Sequence, residues 1–139
     1  MTTTARSSRS SGASRSAGSS TALRALQVTA GLSVLAVVWQ FVTAGSLVQD
    51  PSWLGLHGGG AIVLHVTSGL AALAALWWWR TGASLRLAVL AVVTFAITFL
   101  QAWSGDHAPL SVHVPLSLTV VATTAWLLVA AVVAGRRRA

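Results

Sequence analysis

Four histidines, His57, His65, His107 and His113, are the main chemistry-bearing residues of this 139-residue chain. The remaining titratable set is small: two acids, Asp50 and Asp106, and nine cations, all of them Arg. There is no Cys, Glu, Lys or Tyr. Most hydrolytic and acid–base enzyme chemistries lack their groups here. Without Cys there is no disulfide, no thiolate metal site and no Cys-x-x-Cys-His for covalent haem. Zinc needs three or four protein ligands, which only a His-rich cluster with Asp106 could supply. Neutral imidazole is the usual nitrogen ligand of iron, and two imidazoles facing each other from separate helices suit the axial positions of a planar, non-covalent haem b.

His57 and His113 are the pair for that chemistry, because they occupy matching places in two similar stretches. Asp50-Pro-Ser-Trp-Leu-Gly-Leu-His57 and Asp106-His-Ala-Pro-Leu-Ser-Val-His113 share Asp, Leu and His at equal spacing. Arg80 follows His57 by 23 residues, and Arg136 follows His113 by 23 residues. On a helix that distance is about 34 Å, so both His fall near one edge of a hydrocarbon layer. His65 lies about 12 Å deeper and is offset from His57 by about 80°, which makes it a competing ligand on the same helix. Gln40 and Gln101 precede the two His at similar depth and are candidates to hydrogen-bond an imidazole or a haem propionate. Gly58, Gly59, Gly60 and Ala61 could admit a flat ring to the backbone, or could serve close helix packing.

The elements that must position these residues are membrane spans. The chain is 55% hydrophobic and 8% charged, against about 25% charged in soluble domains. Four apolar stretches, about 24–47, 55–79, 84–103 and 111–134, each reach the roughly 20 residues needed to cross a bilayer. Short connections predict an up-down-up-down four-helix bundle built from two repeated hairpins. All nine Arg (6, 9, 15, 24, 80, 86, 136, 137, 138) then fall on one side, and Asp50 and Asp106 on the other. The positive-inside rule predicts both termini in the cytoplasm and a cell-membrane location. The basic balance is thus topological and points away from nucleic acid. Residues 1–22 are Ser, Thr, Ala, Gly and Arg with little else, and predict a disordered basic tail. Residues 136–139 predict a short basic C-terminus. The run from Ala25 to Val48 is too long for a signal h-region and is read as a retained span, with Thr43-Ala44-Gly45-Ser46 as the alternative cleavage site. Trp77, Trp78 and Trp79 predict an inner interfacial belt, Trp53 and Trp103 an outer one. Thr29 and Ser33, Thr94 and Thr98, and Ser117 and Thr124 predict interhelical hydrogen bonds.

Leu100-Gln101 leading through Val112-His113 into an aliphatic helix resembles the second hairpin of one half of haem A synthase. His57, Gly60 and the long aliphatic helix after them are similar to the His that opens the other helix of such a half. Residues 24–134 also resemble small bacterial four-helix membrane proteins with a His-containing second helix. The resemblance implies a haem-type bundle with His57 and His113 as ligands and His65 as a competing match. The synthase has two such halves and this chain one. Gly58 stands where an Arg often follows the first ligand, and no Glu is present to match the synthase's carboxylate. The expected function is therefore a b-type haem protein for electron transfer or haem handling, in contact with lipid and with a respiratory or haem-handling complex or further copies of itself. The alternatives are a cofactor-free structural or assembly subunit and a small transporter or channel.

Overall fold

The structure is a computed structural model that describes the backbone of residues 5–137 and the side chains of residues 17–137. It is all-helical: α1 (Ala5–Gln49), a 3₁₀ turn (Pro51–Trp53), α2 (Leu54–Arg80), α3 (Leu85–His107) and α4 (Leu110–Arg136). All four α-helices are long and apolar enough to cross a membrane. Their outward faces carry large apolar side chains, such as Leu35, Ile62, Leu73 and Trp126, each about two-thirds exposed. Lipid contact is what such a surface fits, since soluble proteins rarely expose apolar patches on this scale. The chain is thus compatible with a multi-pass integral membrane protein.

Two boundaries differ most from those the sequence predicts. Helix α1 starts at Ala5, so helix occupies much of the segment read as a disordered tail. A helix already nucleated in the span extends without a second nucleation cost. Among the described side chains, Ser19 and Ala22 near the end of that segment are buried. The side chains of Arg6, Arg9, Arg15 and Arg138 lie outside the described residues. Helix α3 continues past residue 103 to His107, so Asp106 and His107 sit in its last turn and not in a loop. Only Ala108 and Pro109 then connect α3 to α4.

The principal contacts form a closed ring in which α1 and α3 each pack on α2 and α4. Alanine dominates the larger apolar cluster: Ala22 and Ala30 from α1, Ala71, Ala74 and Ala75 from α2, Ala88 and Ala91 from α3, and Ala131 from α4. Small side chains let helix backbones approach, and that packing holds helices together where lipid removes the hydrophobic drive. Each of the four interfaces also has one glycine whose absent side chain the neighbour fills: Gly60 under Trp39 and Gln40, Gly69 under Phe95, Gly105 under His113, and Gly135 under Gln27. Midway along α1, Gln27 Nε2 donates to Ala131 O of α4 at 3.0 Å. Between α2 and α3 the chain reverses at Gly82, with φ of 91°, a left-handed value that glycine adopts without strain. A smaller apolar cluster, Ala36, Val37, Leu64 and Val120, lies farther along the helices toward His57 and His113.

The buried hydroxyls among those expected to bridge helices bond within their own helix instead. Ser33 donates to Thr29 O, Thr94 to Leu90 O, Thr98 to Phe95 O and Thr124 to Val120 O, all within their own helix. A Ser or Thr hydroxyl reaches the carbonyl one turn back without any partner helix, which satisfies it in lipid. The Trp triplet also divides. Trp77 and Trp79 are exposed, but Trp78 is only 3% exposed and belongs to the core. A rotation of about 100° per residue makes it impossible for three consecutive residues to share one face.

Candidate functional site

Beyond the smaller cluster the apolar core gives way to polar side chains, and both repeat-related His lie there. His57 is on the first turn of α2, half-buried against the end of α1. Its Nδ1 lies 2.9 Å from Thr43 Oγ1. Thr43 is fully buried, and its hydroxyl proton is directed to Trp39 O and Gln40 O, both at 3.1 Å. An oxygen whose proton is already used must accept, so Nδ1 carries the hydrogen and the Nε2 lone pair is left bare.

The Gln40 amide closes the same corner. In the orientation that satisfies both its atoms, Nε2 donates to His57 O at 2.9 Å and Oε1 accepts from Ala61 N at 2.9 Å. That nitrogen is 3.2 Å from His57 Nδ1, a contact that would ask Nδ1 to accept instead. The shorter Thr43 contact decides for Nδ1–H. A Cβ on Gly60 would come within 2.8 Å of the Gln40 amide and of Trp39 Cδ1. Gly60 is therefore a helix-packing position. Gly55, Gly58 and Gly59 meet nothing within 4 Å and are exposed, so the glycine run is split between two environments.

The second hairpin repeats the chemistry. His113, on the first turn of α4, has its Nδ1 3.0 Å from Ser104 Oγ. Ser104 is buried and donates to Gln101 O at 2.8 Å, so its oxygen also accepts from an Nδ1–H. The imidazole rests on α3 at Gly105, where a Cβ would lie 3.0 Å from His113 Cε1. Here the Gln differs from its counterpart. Gln101 Nε2 lies 3.1 Å from His113 Nε2 and 3.3 Å from its Nδ1, so the amide rests against both ring nitrogens. Gln101 Oε1 is buried and has no hydrogen-bond partner among the described residues.

The other two histidines stand apart. His65 Nδ1 donates to Ala61 O of its own helix, and the ring meets Phe99 edge-on, with centroids 4.2 Å apart. Among the described residues no neighbouring hydroxyl bonds it. His107 is exposed, donates from Nδ1 to Trp103 O, and stacks on Trp103 at 5.3 Å with planes 6° apart. Trp103 therefore has a ring partner within its own helix. Among the described residues no three His, Cys, Asp or Glu group as a metal cluster would.

Thr43 and Ser104 were not singled out by sequence reasoning as partners of the His. The signal was present: each follows its Gln by three residues, as Gln40-x-x-Thr43 and Gln101-x-x-Ser104. The two imidazoles are on α2 and α4, helices that lie opposite each other in the ring of contacts. As haem ligands, their donor chemistry fits in part as it stands. A ligating His holds its second nitrogen to a hydrogen-bond acceptor, and both do so through Nδ1. His57 Nε2 is ready to ligate, whereas His113 Nε2 requires the Gln101 amide to turn away. No family model, curated protein or solved structure matches this chain.

Proposed function

We propose that this chain is a haem b-binding four-helix membrane protein in which His57 and His113 would hold the haem. The observation that carries the proposal is the duplicated unit: a Gln, a hydroxyl three residues on, and a His in the next helix whose Nδ1 the hydroxyl holds at 2.9 or 3.0 Å. Haem, when bound, supplies one-electron chemistry. The chain's part is to fix each imidazole as the Nδ1–H tautomer, to orient it, and to exclude bulk water with the lipid-facing helices. Gln40 and Gln101 position the two rings, and His65 is the competing ligand on α2.

The same reading takes the course of the chain as up-down-up-down, built from two related hairpins. The contacts of the middle of α1 with the last turns of α4 at Gln27–Ala131, and of the end of α1 with the start of α2 at Thr43–His57, support it. With both termini cytoplasmic, every Arg is on the inner side of the cell membrane and both His near the outer side. Electron transfer or haem handling within a respiratory or haem-handling complex, or a homo-oligomer, is the role that follows. The cofactor-free assembly subunit is favoured by one specific contact, the Gln101 amide against the His113 ring, which gives that imidazole a polar partner without iron.

An absorption spectrum of the detergent-purified protein, expressed with haem supplied, separates the two. Sharp reduced bands of a low-spin haem are expected. His57→Ala and His113→Ala should each abolish or sharply weaken them, and His107→Ala should leave them intact. Loss with His65→Ala but not with His57→Ala would move the α2 ligand one site deeper. A colourless wild-type protein would defeat the haem reading.

A further inference from the structure

A groove of about 480 Å³ opens between the α2–α3 turn and the end of α4, away from the His. Its floor is Trp78, its walls are Leu87, Ala130 and Ala134, and Ser84 and Arg137 stand among its remaining lining residues. We propose that this groove binds one anionic phospholipid, with the headgroup phosphate on Arg137 and the start of an acyl chain along the apolar wall.

Charge complementarity selects this occupant. Arg137 is one of the lining residues, and Arg80, Arg86 and Arg136 lie within two residues of others. Neither acid of the chain is near them in sequence. Guanidinium is the side chain that best matches a phosphate's oxygens, and basic pockets between membrane helices are suited to anionic headgroups. The α3 N-terminus adds to this. Ser84 is its N-cap but makes no side-chain capping bond, so the first-turn amides beside the groove have no side-chain acceptor there. The apolar walls favour a lipid over free phosphate, because an inorganic anion gains nothing from Leu87, Ala130 and Ala134. The proposal does not depend on haem.

Native mass spectrometry of the full chain in delipidating detergent, titrated with phosphatidylglycerol and separately with phosphatidylcholine, tests it. One phosphatidylglycerol should be retained in preference to phosphatidylcholine. Arg137→Gln should weaken it about fivefold, the effect of one Arg near an anionic surface. Ala130→Leu, which fills the wall, should remove the bound lipid, with Val133→Phe as the second filling variant if the first fails to fold. Arg136 is not among the lining residues, so Arg136→Gln should weaken retention clearly less than Arg137→Gln. Equal losses with Arg136→Gln and Arg137→Gln would show diffuse attraction and overturn the site. So would equal retention of phosphatidylcholine, or displacement of the lipid by millimolar inorganic phosphate.

Discussion

Replacing Thr43 by Val tests the geometry on which the haem reading rests, without using haem. Val keeps the shape of the fully buried Thr43 and removes only the hydroxyl. The bonds from that hydroxyl to Trp39 O and Gln40 O are within the helix, and their loss costs little because those carbonyls keep their place in the helix ladder. The consequential loss is the 2.9 Å contact to His57 Nδ1. A half-buried imidazole N–H left without its acceptor costs about 1–3 kcal/mol in proteins generally. Hydrogen bonds between membrane helices average about 0.6 kcal/mol, with a maximum near 1.7. The Gln40 amide, 3.2 Å from the same nitrogen, gives partial compensation by a tautomer change. The expected destabilisation is therefore about 1 kcal/mol, and about 2 kcal/mol when Gln40→Leu is added, because both partners are then gone. Ser104→Ala should cost a similar amount in the second hairpin. Reversible unfolding in mixed micelles measures each value, and a double-mutant cycle with His57→Phe isolates the contact. A coupling energy indistinguishable from zero would refute the assigned Thr43–His57 bond.

Glycine substitutions should divide by interface. Gly60→Ala should destabilise by about 1–3 kcal/mol through overpacking on Trp39 and Gln40, whereas Gly58→Ala and Gly59→Ala, in open space, should be neutral or stabilise by up to about 1 kcal/mol. Equal effects in unfolding measurements would contradict the placement of Gly60. The Asp50 carboxylate is held below its ordinary pKa by the Ser52 backbone N–H and then by the Ser52 hydroxyl. Its contribution to stability is full above the unfolded-state pKa and is lost as pH falls through the lower folded-state value. Ser52→Ala removes only the hydroxyl, so the carboxyl titration followed by NMR should move part of the way up, and no movement would refute the bond. A reporter fused after Ala139 should be active only as a cytoplasmic-type reporter, and periplasmic activity would reverse the proposed orientation.

The sequence alone determined that there are four long apolar helices and roughly where each lies. That information is local: the length of an apolar run against bilayer thickness, interrupted by Pro, Gly and charge. It also picked out His57 and His113 as a pair, because equal spacing to Arg80 and Arg136 is a one-dimensional property. Helix ends were less legible. The run Ser104-Gly105-Asp106 reads as a turn, yet it stays helical because Gly105 leaves room for the His113 ring and Ser104 bonds that ring. Which hydroxyls serve the site was not legible at all. Every Ser or Thr in a helix can bond its own carbonyl, and most here do so. Only the rotation of α1 against α2, and of α3 against α4, brings Thr43 and Ser104 to an imidazole. Packing sets that rotation, and here it also separates Gly60 from Gly58 and Gly59 and Trp78 from its neighbours. Neighbours in sequence differ by about 100° in direction, so composition cannot say which one faces the interior, and the contacts between helices decide it.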